Sequence, residues 1–134
     1  MSKDTSPSVH IMRSPLGRAR GLGAAKHGAA HWWAERATSV ALLPLSLYFV
    51  VSVLILKGAD HAAMAAYLGE PWNAVLFLLL IGTMFSHISM GLQVVIEDYV
   101  REEGKRLALL LVVKGGVWFL ALAAAVSVLK LAFS

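Results

Sequence analysis

Three apolar runs, each close to or beyond the length of a bilayer crossing, constrain this chain more than any other feature. Thr38 to Leu56 is nineteen residues without a charge, Trp72 to Ile96 meets its first charge at Glu97, and Leu107 to Phe133 carries only Lys114 and Lys130. A helix of about 20 apolar residues covers the ~30 Å hydrocarbon core of a membrane. A soluble domain of 134 residues with 58% hydrophobic composition would have to expose large apolar patches. Lipid is therefore the solvent this sequence asks for. Backbone groups inside hydrocarbon must be satisfied within their own segment, which makes each run a helix. The expected fold is an all-α integral membrane protein with three transmembrane helices, up-down-up.

The segments between the runs set the organisation. Residues 1–30 hold Ser, Pro, Gly and scattered cations (Lys3, Arg13, Arg18, Arg20, Lys26) with no apolar stretch to bury, and are read as a basic inner-side tail. Residues 31–134 are read as one three-span membrane domain. Trp32 and Trp33 precede the first span, where interfacial aromatics sit, and Pro44 inside it predicts a kink. Lys57 to Pro71 is expected as a short connection, with Pro71 and Trp72 opening the second helix. Glu97 to Arg106 is expected as a charged loop broken at Gly104, and Lys114 is close enough to the interface to snorkel back to it.

Charge distribution gives the orientation. Six Lys and Arg lie in the stretch through Arg36 and four between Arg101 and Lys114, against Lys57 alone in the first connection and Lys130 alone near the C-terminus. The positive-inside rule puts the N-terminus and second loop inside and the C-terminus outside. For a bacterial cytoplasmic membrane this means a cytoplasmic N-terminus and a periplasmic C-terminus; an Arg- and Ser-containing start also fits a mitochondrial inner-membrane location. The net charge of +4 and pI near 9.7 arise from residues flanking spans, without the basic stripe of a nucleic-acid binder. The absence of Cys excludes thiolate-held clusters and Cys nucleophiles from this chain.

Chemistry concentrates in the second span. His87 is the ionisable residue of its apolar interior, and an unpartnered imidazole in hydrocarbon costs several kcal/mol. Three readings are open: an imidazole hydrogen-bonded to a neighbouring helix, a metal or haem ligand, or a proton relay. Gly91, at i+4, cuts the same face back to bare backbone, where a flat macrocycle or a second helix can approach. Gly82, Ser86 and Ser89 add small residues nearby.

Asp98 follows His87 by eleven residues, which returns it to nearly the same helix face about 16 Å along the axis. With Tyr99 it forms a carboxylate–phenol pair at the membrane boundary. The pair suits interfacial anchoring, and equally a quinone head group, with the phenol donating to a carbonyl and the carboxylate positioning it or feeding protons. Arg36, before the first span, is expected at the same interface as Asp98 and Tyr99. It serves either as a snorkelling topology determinant or as a guanidinium fork for a haem propionate or the quinone pocket. His31 is a possible companion to Arg36; His10, His27 and His61 carry no sharper reading. A low-spin b-type haem takes two axial ligands, and no second His lies inside a span. Its second ligand has to come from a partner chain.

The run HISMGLQVVIEDY from His87 to Tyr99 resembles the hydrophobic membrane anchor (D) subunit family of succinate dehydrogenase. It has the intramembrane His, a Gly four residues on, a Gln soon after, and Asp-Tyr eleven and twelve residues beyond the His. The pattern Arg36 to Thr38, followed by Ser39 and Val40, and the three-span layout are also similar, so the likeness covers about residues 31–133. The resemblance implies a respiratory complex II anchor that packs with a second anchor (C) subunit around a shared haem b. His87 would be the axial ligand to the haem iron, Arg36 would lie near the propionates and quinone, and Tyr99 would hydrogen-bond ubiquinone with Asp98 beside it. The iron-sulfur subunit would complete the quinone site, and a flavoprotein subunit carrying FAD would oxidise succinate.

Two rivals remain at this level. One is the anchor of a fumarate reductase, whose electrons run the other way. The other is a small transporter or channel subunit in which His87 and Asp98 form a proton path.

Overall fold

The computed structural model of the protein describes residues 25–134, with side chains from residue 28 onward. The inner-side tail read at 1–30 therefore lies outside the described residues up to residue 24. Four helices follow in order: α1 (Ala25–Ile55), α2 (His61–Gly69), α3 (Pro71–Tyr99) and α4 (Glu103–Ala132). Of these, α1, α3 and α4 are long and apolar enough to cross a membrane. The expectation of an all-α protein with three spans running up-down-up is met.

The helix ends differ from the expectation in ways that local chemistry explains. α1 begins thirteen residues ahead of Thr38 and continues through Pro44. After its end, Gly58 turns the chain at φ +80°, a left-handed conformation that costs an L residue about 1–2 kcal/mol. The first connection contains a helix that the expected loop did not. Asp60 caps it by accepting from the Ala63 amide at 2.8 Å, and the Ala-rich run His61–Gly69 supplies strong helix formers. α3 starts with Pro71 in its first turn, as expected, and carries on through Glu97 and Asp98 to Tyr99. Gly104 does not break the chain. It lies in the first turn of α4, beside Glu103, whose carboxylate suits the positive end of the helix dipole. The turn is confined to residues 100–102.

α3 is the middle of an open layer. α1 packs on one side of it and α4 on the other, α2 lies against α3 and α4, and α1 makes no backbone approach to α4. α1 and α3 run antiparallel, since Thr38 meets His87 and Tyr48 meets Phe77 with ring centroids 5.8 Å apart, edge to face. Phe49 makes a similar contact with Phe77 at 6.0 Å.

A polar knot ties α1, α2 and α3 together at the end away from His87. The Tyr48 hydroxyl donates to Asn73 Oδ1 at 2.7 Å, the Asn73 amide donates to the Tyr67 carbonyl at 2.8 Å, and Ser52 Oγ lies 2.9 Å from the Tyr67 hydroxyl. Ser52 is fully buried. Each group has a partner, as hydrocarbon surroundings demand. Buried apolar side chains are few, namely Leu68, Leu80, Ile96, Val117 and Ala121. In lipid an exposed leucine carries no penalty, and helices associate through packing and hydrogen bonds instead.

Candidate functional site

His87 sits on the middle helix, half-buried, and turns its Nδ1 toward α1. Thr38 Oγ1 is 2.9 Å from that nitrogen. The same hydroxyl is 2.9 Å from the Ala34 carbonyl and 3.0 Å from the Glu35 carbonyl, the back-bonding typical of Thr within a helix. Among the described residues this is the one hydrogen bond His87 makes. One turn on, a Cβ placed on Gly91 would meet nothing within 4 Å, and the same holds at Gly82. Gly91 is therefore not the seat of a close helix contact among the described residues.

Arg36 is exposed and lays its guanidinium over Trp32, 4.9 Å from the ring centroid, a cation–π contact. The helix register corrects its expected depth. Arg36 precedes Thr38 by about 3 Å along α1, whereas Asp98 follows His87 by about 16 Å along α3. With Thr38 beside His87, the Arg36 backbone lies roughly 13 Å short of Asp98. Arg36 belongs to the His87 level, and its stacking on Trp32 carries its charge part of the way toward Tyr99.

Between these two levels a cleft of about 470 Å³ separates the start of α1 from the end of α3, lined by Gly28, His31, Trp32, Glu35, Gln93, Val94 and Glu97. His31 Nε2 is buried there without a hydrogen-bond partner among the described residues. Gln93 donates to Glu97 Oε1 at 2.7 Å. The structure thus draws His31, doubtful in the sequence, toward the space between the Arg36 and Asp98 levels. It also adds Glu35, Gln93 and Glu97, which composition and spacing did not mark as a group.

Asp98 and Tyr99 end α3. Tyr99 is 83% exposed, and neither side chain has a hydrogen-bond or ion-pair partner among the described residues. The last turn holds Glu97 and Asp98 and no basic residue, the reverse of what the negative end of the helix dipole favours. Helix stability does not account for carboxylates there. No group of three or more His, Cys, Asp or Glu able to hold a metal ion occurs among the described residues.

Thr38 is the contact of His87 that the spacing left without a role. It stands in the Arg36–Thr38 pattern, but its meeting with His87 spans 49 positions and depends on how α1 packs on α3.

Comparison with known proteins bears on most of the chain. A family model described as succinate dehydrogenase/fumarate reductase transmembrane subunit matches residues 10–129. The chain is 33% identical over 106 residues to the succinate dehydrogenase hydrophobic membrane anchor subunit of Rickettsia bellii, covering 79% of this chain and 85% of that protein. It is 30% identical to the subunit of the same name from Paracoccus denitrificans, over 72% of this chain and 75% of the relative. A succinate dehydrogenase membrane anchor subunit of Reclinomonas americana is 29% identical, over 66% and 77%. No solved structure matches the chain significantly. With a model match across most of its length and relatives that agree in name, this multi-pass membrane chain belongs to the succinate dehydrogenase/fumarate reductase transmembrane subunit family.

Proposed function

We propose that the chain anchors a succinate dehydrogenase to a bacterial cytoplasmic membrane, helps hold a haem b through His87, and forms part of the ubiquinone-reduction site through Tyr99. The observation that carries this reading is the pairing of His87 with Gly91. The imidazole is half-buried in the apolar stretch of the middle helix, with one ring nitrogen engaged by Thr38. The face one turn away is open where a side chain would otherwise stand. A proton relay needs no such clearing, while a flat macrocycle does.

The residues fit a haem on three counts: an imidazole with one ring nitrogen left over, a glycine clearing beside it, and a guanidinium between the His87 and Tyr99 levels for propionates. Bound there, the haem would supply a one-electron redox centre near the quinone. The rest is the protein's work. His87 would hold the iron, and a second anchor subunit would supply a further ligand and cover the open layer that α1, α3 and α4 leave. Arg36 offsets propionate charge. Tyr99 donates its hydroxyl proton to a quinone carbonyl, which polarises it toward reduction, and Asp98 orients the phenol or passes protons to it. The exposure of Tyr99 suits a site closed by an iron-sulfur subunit, with succinate oxidised in a flavoprotein subunit beyond.

The test is to purify the assembly in mild detergent through a tag on this chain. The expected result is co-purification of a flavoprotein, an iron-sulfur protein and a second membrane anchor, with a b-type absorption spectrum that weakens or changes in His87→Ala. An assembly without the flavoprotein would overturn the anchor reading, and a spectrum indifferent to His87→Ala would overturn the ligand assignment.

A further inference from the structure

We infer that Thr38 is the positioning residue for His87, fixing the imidazole in the tautomer that carries its proton on Nδ1 and keeps Nε2 bare for an iron. The inference rests on the haem reading above and deepens it. A threonine hydroxyl has one proton and two lone pairs. Three atoms crowd Thr38 Oγ1: the Ala34 carbonyl at 2.9 Å, the Glu35 carbonyl at 3.0 Å and His87 Nδ1 at 2.9 Å.

Carbonyl oxygens can only accept. Were the hydroxyl proton given to Nδ1, two oxygen–oxygen contacts near 3 Å would stand with no proton between them. Shared between the two carbonyls, it leaves the Thr38 lone pairs facing Nδ1, and the contact is satisfied only if Nδ1 carries a hydrogen and donates it. A neutral imidazole has one N–H, so Nε2 then keeps its lone pair. Among the described residues nothing else hydrogen-bonds this ring, so no other contact competes for the tautomer.

The arrangement is stiff. Thr is β-branched, and its hydroxyl is held to its own helix by the backbone carbonyls, so the acceptor's direction is set before His87 arrives. A ligating imidazole commonly donates its second ring N–H to such an outer partner, which orients the ring and raises its basicity. A hydroxyl acceptor gives a milder push than a carboxylate, because it bears no charge.

The test compares Thr38→Val and Thr38→Ser in the assembled complex, read by redox titration of the haem and by its low-spin electron paramagnetic resonance. Val keeps the shape and removes the acceptor. The expected result is an upward shift of the midpoint potential and altered g-values in Thr38→Val, with Thr38→Ser returning both toward the unsubstituted protein. Unchanged values in Thr38→Val, or Ser behaving as Val does, would overturn the inference. A second measurement needs no haem: ¹⁵N-histidine spectra of the complex prepared from haem-deficient cells, with the His87 signal assigned by its loss in His87→Gln. Protonated Nδ1 and bare Nε2 are expected, and the reverse pattern would overturn the inference even where the ligand reading stands. Bare Nε2 in a protein whose haem spectrum ignores His87→Ala would sink the ligand reading and leave the Thr38 tautomer role intact.

Discussion

The Tyr48 hydroxyl donates a 2.7 Å hydrogen bond to Asn73 Oδ1, and the Asn73 amide in turn reaches the Tyr67 carbonyl at 2.8 Å. One side chain thereby joins α1, α2 and α3 at the end of the layer opposite the candidate site. Asn73→Ala leaves the Tyr67 carbonyl without its partner and the Tyr48 phenol with only the longer 3.4 Å contact to the Tyr67 hydroxyl, and is expected to cost about 1–2 kcal/mol. Thermal inactivation of the purified complex measures it, and a double-mutant cycle with Tyr48→Phe isolates the pair. His87 lies about 21 Å along α3 from Asn73, so the haem spectrum should stay the same.

Tyr99→Phe removes one hydroxyl from a side chain that is 83% exposed and leans on no hydrogen bond within the described chain, so folding should be unaffected. Succinate-driven quinone reduction should slow on the order of 10²-fold, the usual effect of deleting one donor to a developing oxyanion. Succinate oxidation with a soluble artificial acceptor should stay near normal. Equal quinone rates in both proteins would reduce Tyr99 to an interfacial anchor.

Gly91 separates packing within the chain from packing against something outside it. A Cβ there meets nothing within 4 Å among the described residues, and Ala is the better helix former by roughly 1 kcal/mol. Gly91→Leu should thus insert and fold normally while its haem content, read as haem per flavin, falls severely. Full haem occupancy in Gly91→Leu would place the macrocycle elsewhere.

Arg36→Lys keeps the charge and loses the planar fork as well as its stacking on Trp32. If the fork binds a propionate, Lys should recover only part of the affinity lost in Arg36→Gln, for which about a tenfold loss of haem retention is expected. Haem release to apomyoglobin gives the rates. Equal retention in all three proteins would leave Arg36 as a topology determinant.

Topology is checked with alkaline phosphatase fusions, which are active only outside the cytoplasm. Fusion after Ser134 should be active, and fusion within the 100–102 turn should be inactive. The reverse result would invert the placement of Tyr99 relative to the iron-sulfur subunit.

Much of the candidate site was legible along one helix. His87, Gly91, Asp98 and Tyr99 all lie on α3, and 3.6-residue periodicity alone places them on a face and at a spacing. The missed elements were those in which short-range signals competed. α2 was hidden within the short connection expected from Lys57 to Pro71, where Asp60 is in fact the cap of a helix. Gly104 suggested a break, yet the first turn of a helix tolerates glycine.

The sequence by itself determined three spans, their order and the helix that carries the candidate site, because hydrophobic length and helical period are properties of contiguous residues. Only the tertiary structure decided that Thr38 faces His87, that Arg36 lies nearer the His87 level than the Asp98 level, and that α1 and α4 flank α3 without a backbone approach to each other. Those relations depend on the register between helices, set by contacts such as the Tyr48–Phe77 edge-to-face pair and the hydrogen bonds of Asn73. Hydropathy is blind to such register, since in lipid a helix face turned to a neighbour and one turned to acyl chains are written in the same apolar residues.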